Sequence, residues 1–152
     1  MAGTFTQILK HATGRQTPSE ATEPRGRWQW FPSLAEYNRN VPAHDAFPSG
    51  HLAVATATVE VIARNYPEQR LVRPVGYSLL TLLSFAMVNN GVHWASDYPL
   101  ALAIGTGVAK VAVERGRVVG RPAGPVPDGL SMRGLQPIIA PGVVGLSLAF
   151  GR

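Results

Sequence analysis

Three apolar runs, at residues 51 to 64, 74 to 89 and 98 to 115, constrain this chain most, because each is apolar on more than one face and must be covered nearly all round. Two short connections separate them. "RNYPEQRLVRP" carries Pro67 and Pro74, and "NNGVHWASDYP" offers Ser96 as an N-cap and Pro99 for a first turn. Two arrangements satisfy such runs: a helical bundle with its own core, or helices in a bilayer. At ~1.5 Å per residue the runs reach roughly 21 to 27 Å, against about 30 Å of hydrocarbon, so the first is short for a span. Charge placement favours the membrane. If the helices run up, down and up, Arg64, Arg70 and Arg73 share one side with Arg115, Arg117 and Arg121, as the positive-inside rule requires. Glu60 and Lys110 lie near that end, and Glu60 can pair with Arg64 one turn on. The same topology collects His51, His93 and Asp97 at the other end. A soluble bundle with basic turns would cluster its loops identically.

Composition leaves both arrangements open. Of 152 residues 45% are hydrophobic and 15% charged, against about 25% charged in an ordinary soluble domain. The length is that of one domain. A net charge of +5 suits an anionic partner and by itself does not choose among nucleic acid, anionic lipid and phosphorylated substrates. The absence of cysteine excludes a disulfide framework and thiolate metal sites. The N-terminus lacks the basic and apolar regions of a signal peptide.

A short helix is expected over residues 4 to 12, stopped by Gly14 and Pro18. Residues 19 to 46 form a long polar connection with an aromatic cluster, "RWQWFP", which is either an interfacial lid or a satellite cluster under a loop. After Arg115 the chain turns Pro/Gly-rich and irregular, and "GVVGLSLAF" near the end reads weakly as a strand. The expected division is a helical domain over residues 1 to 117 and a tail over 118 to 152.

Three short elements can carry chemistry. "PSGH", residues 48 to 51, opens a helix, so unpaired amides and the positive end of the helix dipole make an anion site. Ser49 and Gly50 let backbone come close to a ligand, and His51 can exchange a proton near neutral pH. The plainer reading is a serine N-cap beside an incidental histidine. "HWASD" spaces His93 and Asp97 so that a carboxylate can hold one imidazole nitrogen and leave the other as nucleophile or base; its plainer reading is a loop salt bridge. "KHATGRQTP" sets Lys10 and Arg15 around a glycine turn, either a solvated basic turn or a phosphate clamp.

Together these elements resemble the type 2 phosphatidic acid phosphatase (PAP2) superfamily, which includes bacterial nonspecific acid phosphatases and vanadium haloperoxidases. That family's pattern is Lys-x6-Arg-Pro, then Pro-Ser-Gly-His, then Ser-Arg-x5-His-x3-Asp, and residues 10 to 97 follow it in order. Pro48, Ser49, Gly50 and His51 match the second motif completely, His93 and Asp97 the end of the third, and Lys10 and Pro18 the ends of the first. The resemblance implies an all-α, PAP2-type helical bundle with an irregular C-terminal tail. It also implies a bundle truncated at its N-terminus, since family members carry helices before the first motif and only nine residues precede Lys10 here. It further implies a phosphatase in which His93 attacks phosphorus, Asp97 orients it and His51 protonates the leaving oxygen. Lys10, Arg15, Ser49 and Gly50 would bind phosphate oxygens. The implied partners are a phosphorylated lipid or small phosphate ester and a membrane, with the site facing the periplasm or exterior, and not nucleic acid; the alternative location is soluble in the periplasm or secreted. No cofactor or metal is implied, and the four histidines have no carboxylate-rich companion cluster.

Two departures from the pattern bear on strength. Thr17 stands where the first motif has its second basic residue, and Ala86 and Met87 stand for Ser-Arg of the third. Charge-assisted hydrogen bonds contribute roughly 1.5 to 3 kcal/mol each, so two lost guanidinium contacts weaken transition-state binding by about two to four decades unless replaced. Asn89, Asn90, Arg25, Arg27 and Arg39 are the candidate replacements. Three functions follow: an active phosphatase with altered substrate choice, a non-catalytic descendant, and a vanadium-dependent haloperoxidase, which the missing arginines disfavour.

Overall fold

The structure, a computed structural model, describes residues 1–119, 136–140 and 143–147. The chain divides into two compact units, Met1–Val119 and Gly120–Arg152. The first unit is wholly helical. Its α-helices are α1 (Ala2–Thr13), α2 (Leu34–Arg39), α3 (Gly50–Asn65), α4 (Val72–Asn89) and α5 (Tyr98–Val119), joined by single 3-10 turns at Pro18–Glu20, Val41–Ala43 and Ala95–Asp97. In the second unit Gln136–Ala140 pairs antiparallel with Val143–Ser147, so a strand stands within "GVVGLSLAF". The chain after Arg115, expected to be irregular, continues as α5 to Val119, and residues 120 to 135 lie outside the described residues.

α1 ends where its sequence demands. Gly14 takes a left-handed φ of 49° and its N–H reaches the Lys10 carbonyl, a helix stop that glycine makes without strain. A Cβ there would lie 2.2 Å from the Gln29 carbonyl oxygen, because the long connection folds directly over this turn. α3 starts at Ser49, whose hydroxyl accepts from the Leu52 amide at 3.4 Å. It is the central helix and packs on α1, α4 and α5. Leu52 and Ala53 of α3, Leu80 and Met87 of α4, and Ala101 of α5 form the core. Backbones of α3 and α5 approach so closely at Gly105 that a Cβ would sit 2.5 Å from the Ala53 carbonyl oxygen.

The two ends of the bundle differ as expected. At the basic end Glu60 accepts from Arg64 Nε at 3.1 Å, from Arg73 Nε at 3.1 Å and from Tyr77 Oη at 3.2 Å, and Arg117 donates to the Arg64 carbonyl at 3.1 Å. The His51, His93 and Asp97 positions lie at the other end.

The expectation of membrane-spanning helices is not supported: no helix among the described residues is long and apolar enough to cross a membrane. α3, at 16 residues, reaches only about 24 Å. α4 carries Gly76, Tyr77, Ser78, Thr81 and Ser84 through its length, and the longer α5 carries Lys110, Glu114, Arg115 and Arg117.

The 19 to 46 connection is tied down rather than loose. Gln16 Oε1 accepts from the Thr22 and Arg27 amides at 3.2 and 3.0 Å, and Arg15 bridges to both Trp28 and Asp45. α2, which the polar composition concealed, is capped by Ser33, whose hydroxyl accepts from the Glu36 amide.

Candidate active site

His93 follows the end of α4 and is 2% exposed. Its Nδ1 lies 2.7 Å from the Ala46 carbonyl oxygen. A carbonyl only accepts, so Nδ1 carries a proton, and in the neutral ring Nε2 keeps the lone pair. Asp97 Oδ2 is farther from Nδ1, at 3.5 Å, too long for a strong hydrogen bond. That carboxylate is engaged elsewhere: Oδ2 accepts from the Trp94 amide at 2.8 Å and Oδ1 from Arg15 Nη1. The expected orienting partner of His93 is therefore supplemented by one the sequence did not reveal, the backbone of Ala46.

Arg15 is expected on phosphate, yet it is 4% exposed and turned to Asp97. Nη1 also donates to Ser96 Oγ at 2.8 Å, and Nη2 and Nε donate to the Arg25 carbonyl at 2.9 and 3.3 Å. Trp28 and Trp94 cover the guanidinium at 4.8 and 5.3 Å, a favourable setting for a planar cation. These contacts tie Arg15 to the Asp97 loop. Ser96 is thus not a cap for α5 but an acceptor for Arg15. Trp28 of "RWQWFP" serves as a cover for Arg15, while Trp30 and Phe31 are exposed.

A cavity of about 180 Å³ lies against His93, lined also by His51, Asp45, Thr17, Ser19, Val41, Pro42 and Val92. The His51 and His93 ring centroids are 6.2 Å apart. His51, in the first turn of α3, is exposed. Lys10 does not line this cavity but donates to Asp45, which does, with Nζ 2.5 Å from Oδ2. Asp45 Oδ1 accepts from the buried Tyr37 hydroxyl. Burial first, and then the hydrogen bond to Asp45, pushes the Tyr37 hydroxyl well above its ordinary pKa, so it stays a donor. Gly50 stands beside Lys10: a Cβ on it would meet Thr6 Oγ1 at 3.3 Å and Lys10 Nζ at 3.8 Å. Beyond His51 a second, mostly apolar cavity of about 510 Å³ is lined by Gly3, Val54, Ala55 and Leu83 together with Lys10 and Gly50.

The structure thus brings His51 and His93 to one cavity and His51, Lys10 and Gly50 to the other, while Arg15 and Asp97 line neither. Ser49 is fully buried and does not line the cavity; its hydroxyl caps α3 and lies 3.9 Å from Met87 Sδ. Thr17 does line the cavity, its hydroxyl 3.0 Å from Ser19 Oγ. Arg25, Arg27, Arg39, Asn89 and Asn90 are not among the cavity's lining residues, so none replaces the missing guanidinium contacts here. Asp45 and Tyr37 were not anticipated. Asp45 stands four residues before Ser49, but nothing in its spacing foretells that Lys10 will reach it. Among the described residues no three His, Cys, Asp or Glu side chains gather as metal ligands.

The helical domain thus sets the rings of two histidines against a small cavity and holds Asp45 of its lining with a lysine. A family model described as PAP2 superfamily matches residues 1–117, and the chain belongs to that superfamily. Membership indicates phosphatase-type activity on a phosphate ester. No curated protein and no solved structure matches the chain.

Proposed function

We propose that the chain is a metal-independent phosphatase that hydrolyses phosphate monoesters or lipid (di)phosphates through a phosphohistidine on His93. The observation that supports this reading is the 2.7 Å contact from His93 Nδ1 to the Ala46 carbonyl, which makes Nδ1 the donor and gives the lone pair of the neutral ring to Nε2, in a residue that lines the cavity. Nε2 attacks phosphorus, the P–O ester bond breaks, and His51 gives its proton to the leaving oxygen. His51, now neutral, takes a proton from water as that water attacks phosphorus. The P–N bond breaks, inorganic phosphate leaves and Nε2 regains its lone pair. Asp97, within 3.5 Å of Nδ1, stabilises the positive charge the ring gains while it holds the phosphoryl group. In this reading Lys10 and the Gly50 amide donate to phosphate oxygens.

A second reading has its own support. Lys10 is matched by Asp45 and Arg15 by Asp97, and Thr17 and Met87 supply no cation, which is what a weakened or inactive descendant would show. Phosphate release from phosphatidate, an isoprenyl diphosphate and an aryl phosphate, measured beside His93→Ala, decides between them. The expected result is release by the wild type, reduced roughly 10³-fold or more in the variant, with an acid-labile phosphohistidine trapped only in the wild type. Equal release by both sinks the catalytic reading, and no release by either establishes the inactive one.

A further inference from the structure

Asp45 is a carboxylate inside a site proposed for an anion. It is built in from both sides. Oδ2 accepts from Lys10 Nζ, Oδ1 accepts from Tyr37 Oη, and Gln7 Nε2 donates to that same Tyr37 oxygen at 3.0 Å. Tyr37 is 2% exposed and lies between the rings of His11 and His44, at 3.9 and 6.0 Å. The backbone around Asp45 is fixed too, through the bridge to Arg15 and the Ala46 amide donating to the Arg15 carbonyl at 2.9 Å. Lys10, at 5% exposure, has no other anionic partner within salt-bridge distance among the described residues.

We propose that Asp45 is a specificity-determining residue that competes with phosphate for Lys10 and so discriminates against small free dianions, inorganic phosphate above all. The inference rests on the phosphatase reading of the same cavity. Any phosphate oxygen that reaches Lys10 must take the ammonium from Asp45 and then lie next to that carboxylate. Tyr37 makes the exchange possible, because its hydroxyl still satisfies Asp45 when Lys10 has turned away. Free phosphate meets the whole repulsion with no other source of binding. An ester recovers it by placing its organic part in the apolar cavity beside Val54, Ala55 and Leu83, on the other side of Lys10 and Gly50. The product is then held more weakly than the substrate, and the site clears after each turnover.

The test measures inorganic phosphate binding by calorimetry, and KM and phosphate inhibition with an aryl phosphate, for the wild type, Asp45→Asn, Asp45→Ser, Lys10→Met and the Lys10→Met/Asp45→Asn pair. Both Asp45 variants are expected to bind inorganic phosphate about tenfold more tightly, with a smaller change in KM, as follows from removing one charged competitor for a charged donor. On the Lys10→Met background the gain should vanish. Tyr37→Phe should weaken phosphate binding several-fold in the wild type and leave Asp45→Asn unaffected. A wild type that turns over ester through His93 while neither Asp45 variant gains phosphate affinity overturns the inference and spares the phosphatase reading. Failure of every variant both to bind phosphate and to release it overturns both.

Discussion

At one end of the bundle Glu60, 4% exposed, accepts from Arg64, Arg73 and Tyr77; at the other Asp97, fully buried, accepts from Arg15 and the Trp94 amide. The chemistry of the two contacts is the same and their surroundings are not. Around Glu60 the arginine side chains are 30% and 52% exposed, so the charges are shared with water and the network ends in solvent. Around Asp97 the arginine side chain is 5% exposed and roofed by two tryptophans, and the next group along is His93, which lines a cavity. A buried carboxylate–arginine pair is thus no mark of function in itself. What distinguishes the second end is that its fixed charges lie next to a histidine that lines a cavity.

The contrast breaks if the two carboxylates matter equally to folding. Asp97→Ala strands a buried guanidinium and should cost about 3 to 5 kcal/mol in urea denaturation, as removal of one partner from a buried pair generally does. Replacing both partners by apolar residues, Arg15→Met with Asp97→Leu, should recover most of that loss, since no unpaired charge remains. It should not recover activity. A loss for Asp97→Ala no larger than for Glu60→Ala would show that the Arg15 site is wetter than its covering tryptophans imply.

How far these two ends could be read in advance differs as well. The Glu60–Arg64 pair follows from i, i+4 spacing on one helix, and α1, α3, α4 and α5 each fall within a few residues of their expected positions because apolar periodicity and capping residues act locally. The motif residues also marked the site end correctly as the place where His51 and His93 meet. The partners were not legible there. Arg15 reaches Asp97 across 82 positions and Lys10 reaches Asp45 across 35, and Ala46 contributes a carbonyl, which any residue type carries. Ser49 could cap a helix or bind an anion, and only the structure shows its hydroxyl buried and accepting from the Leu52 amide. Apolarity on several faces suggested spans, but α3 is surrounded by α1, α4 and α5 instead.

Matched charge at the site end leads to a second, smaller effect. Thr17 lines the cavity and stands where the family carries a basic residue. Thr17→Arg would add a cation that no carboxylate among the described residues already holds. One charge-assisted hydrogen bond contributes roughly 1.5 to 3 kcal/mol, so inorganic phosphate should inhibit about 10- to 100-fold more strongly. The same change at Thr58, exposed on α3, should do nothing. Unaltered inhibition in Thr17→Arg would mean that the phosphate lies away from the His93 cavity.

The smallest expected effect is at the basic end and concerns acid stability. The hydrogen bond from Arg73 is the largest influence on Glu60 and holds its carboxyl below the ordinary value of 4.5, burial opposing it. With the folded pKa below the unfolded one, the unfolded chain binds more protons in that window, so stability rises with pH through it. The Glu60 contribution is fully present above the unfolded value and is lost as pH falls through the folded one. Glu60→Gln should therefore flatten the dependence of unfolding free energy on pH below about 5 while leaving phosphate release at neutral pH as it was. Because Arg64 and Arg73 return to water without Glu60, the loss near neutrality should be well below that of Asp97→Ala. An unchanged acid slope in Glu60→Gln would show that the solvent-shared cluster contributes nothing to folding, which would widen the contrast between the two ends.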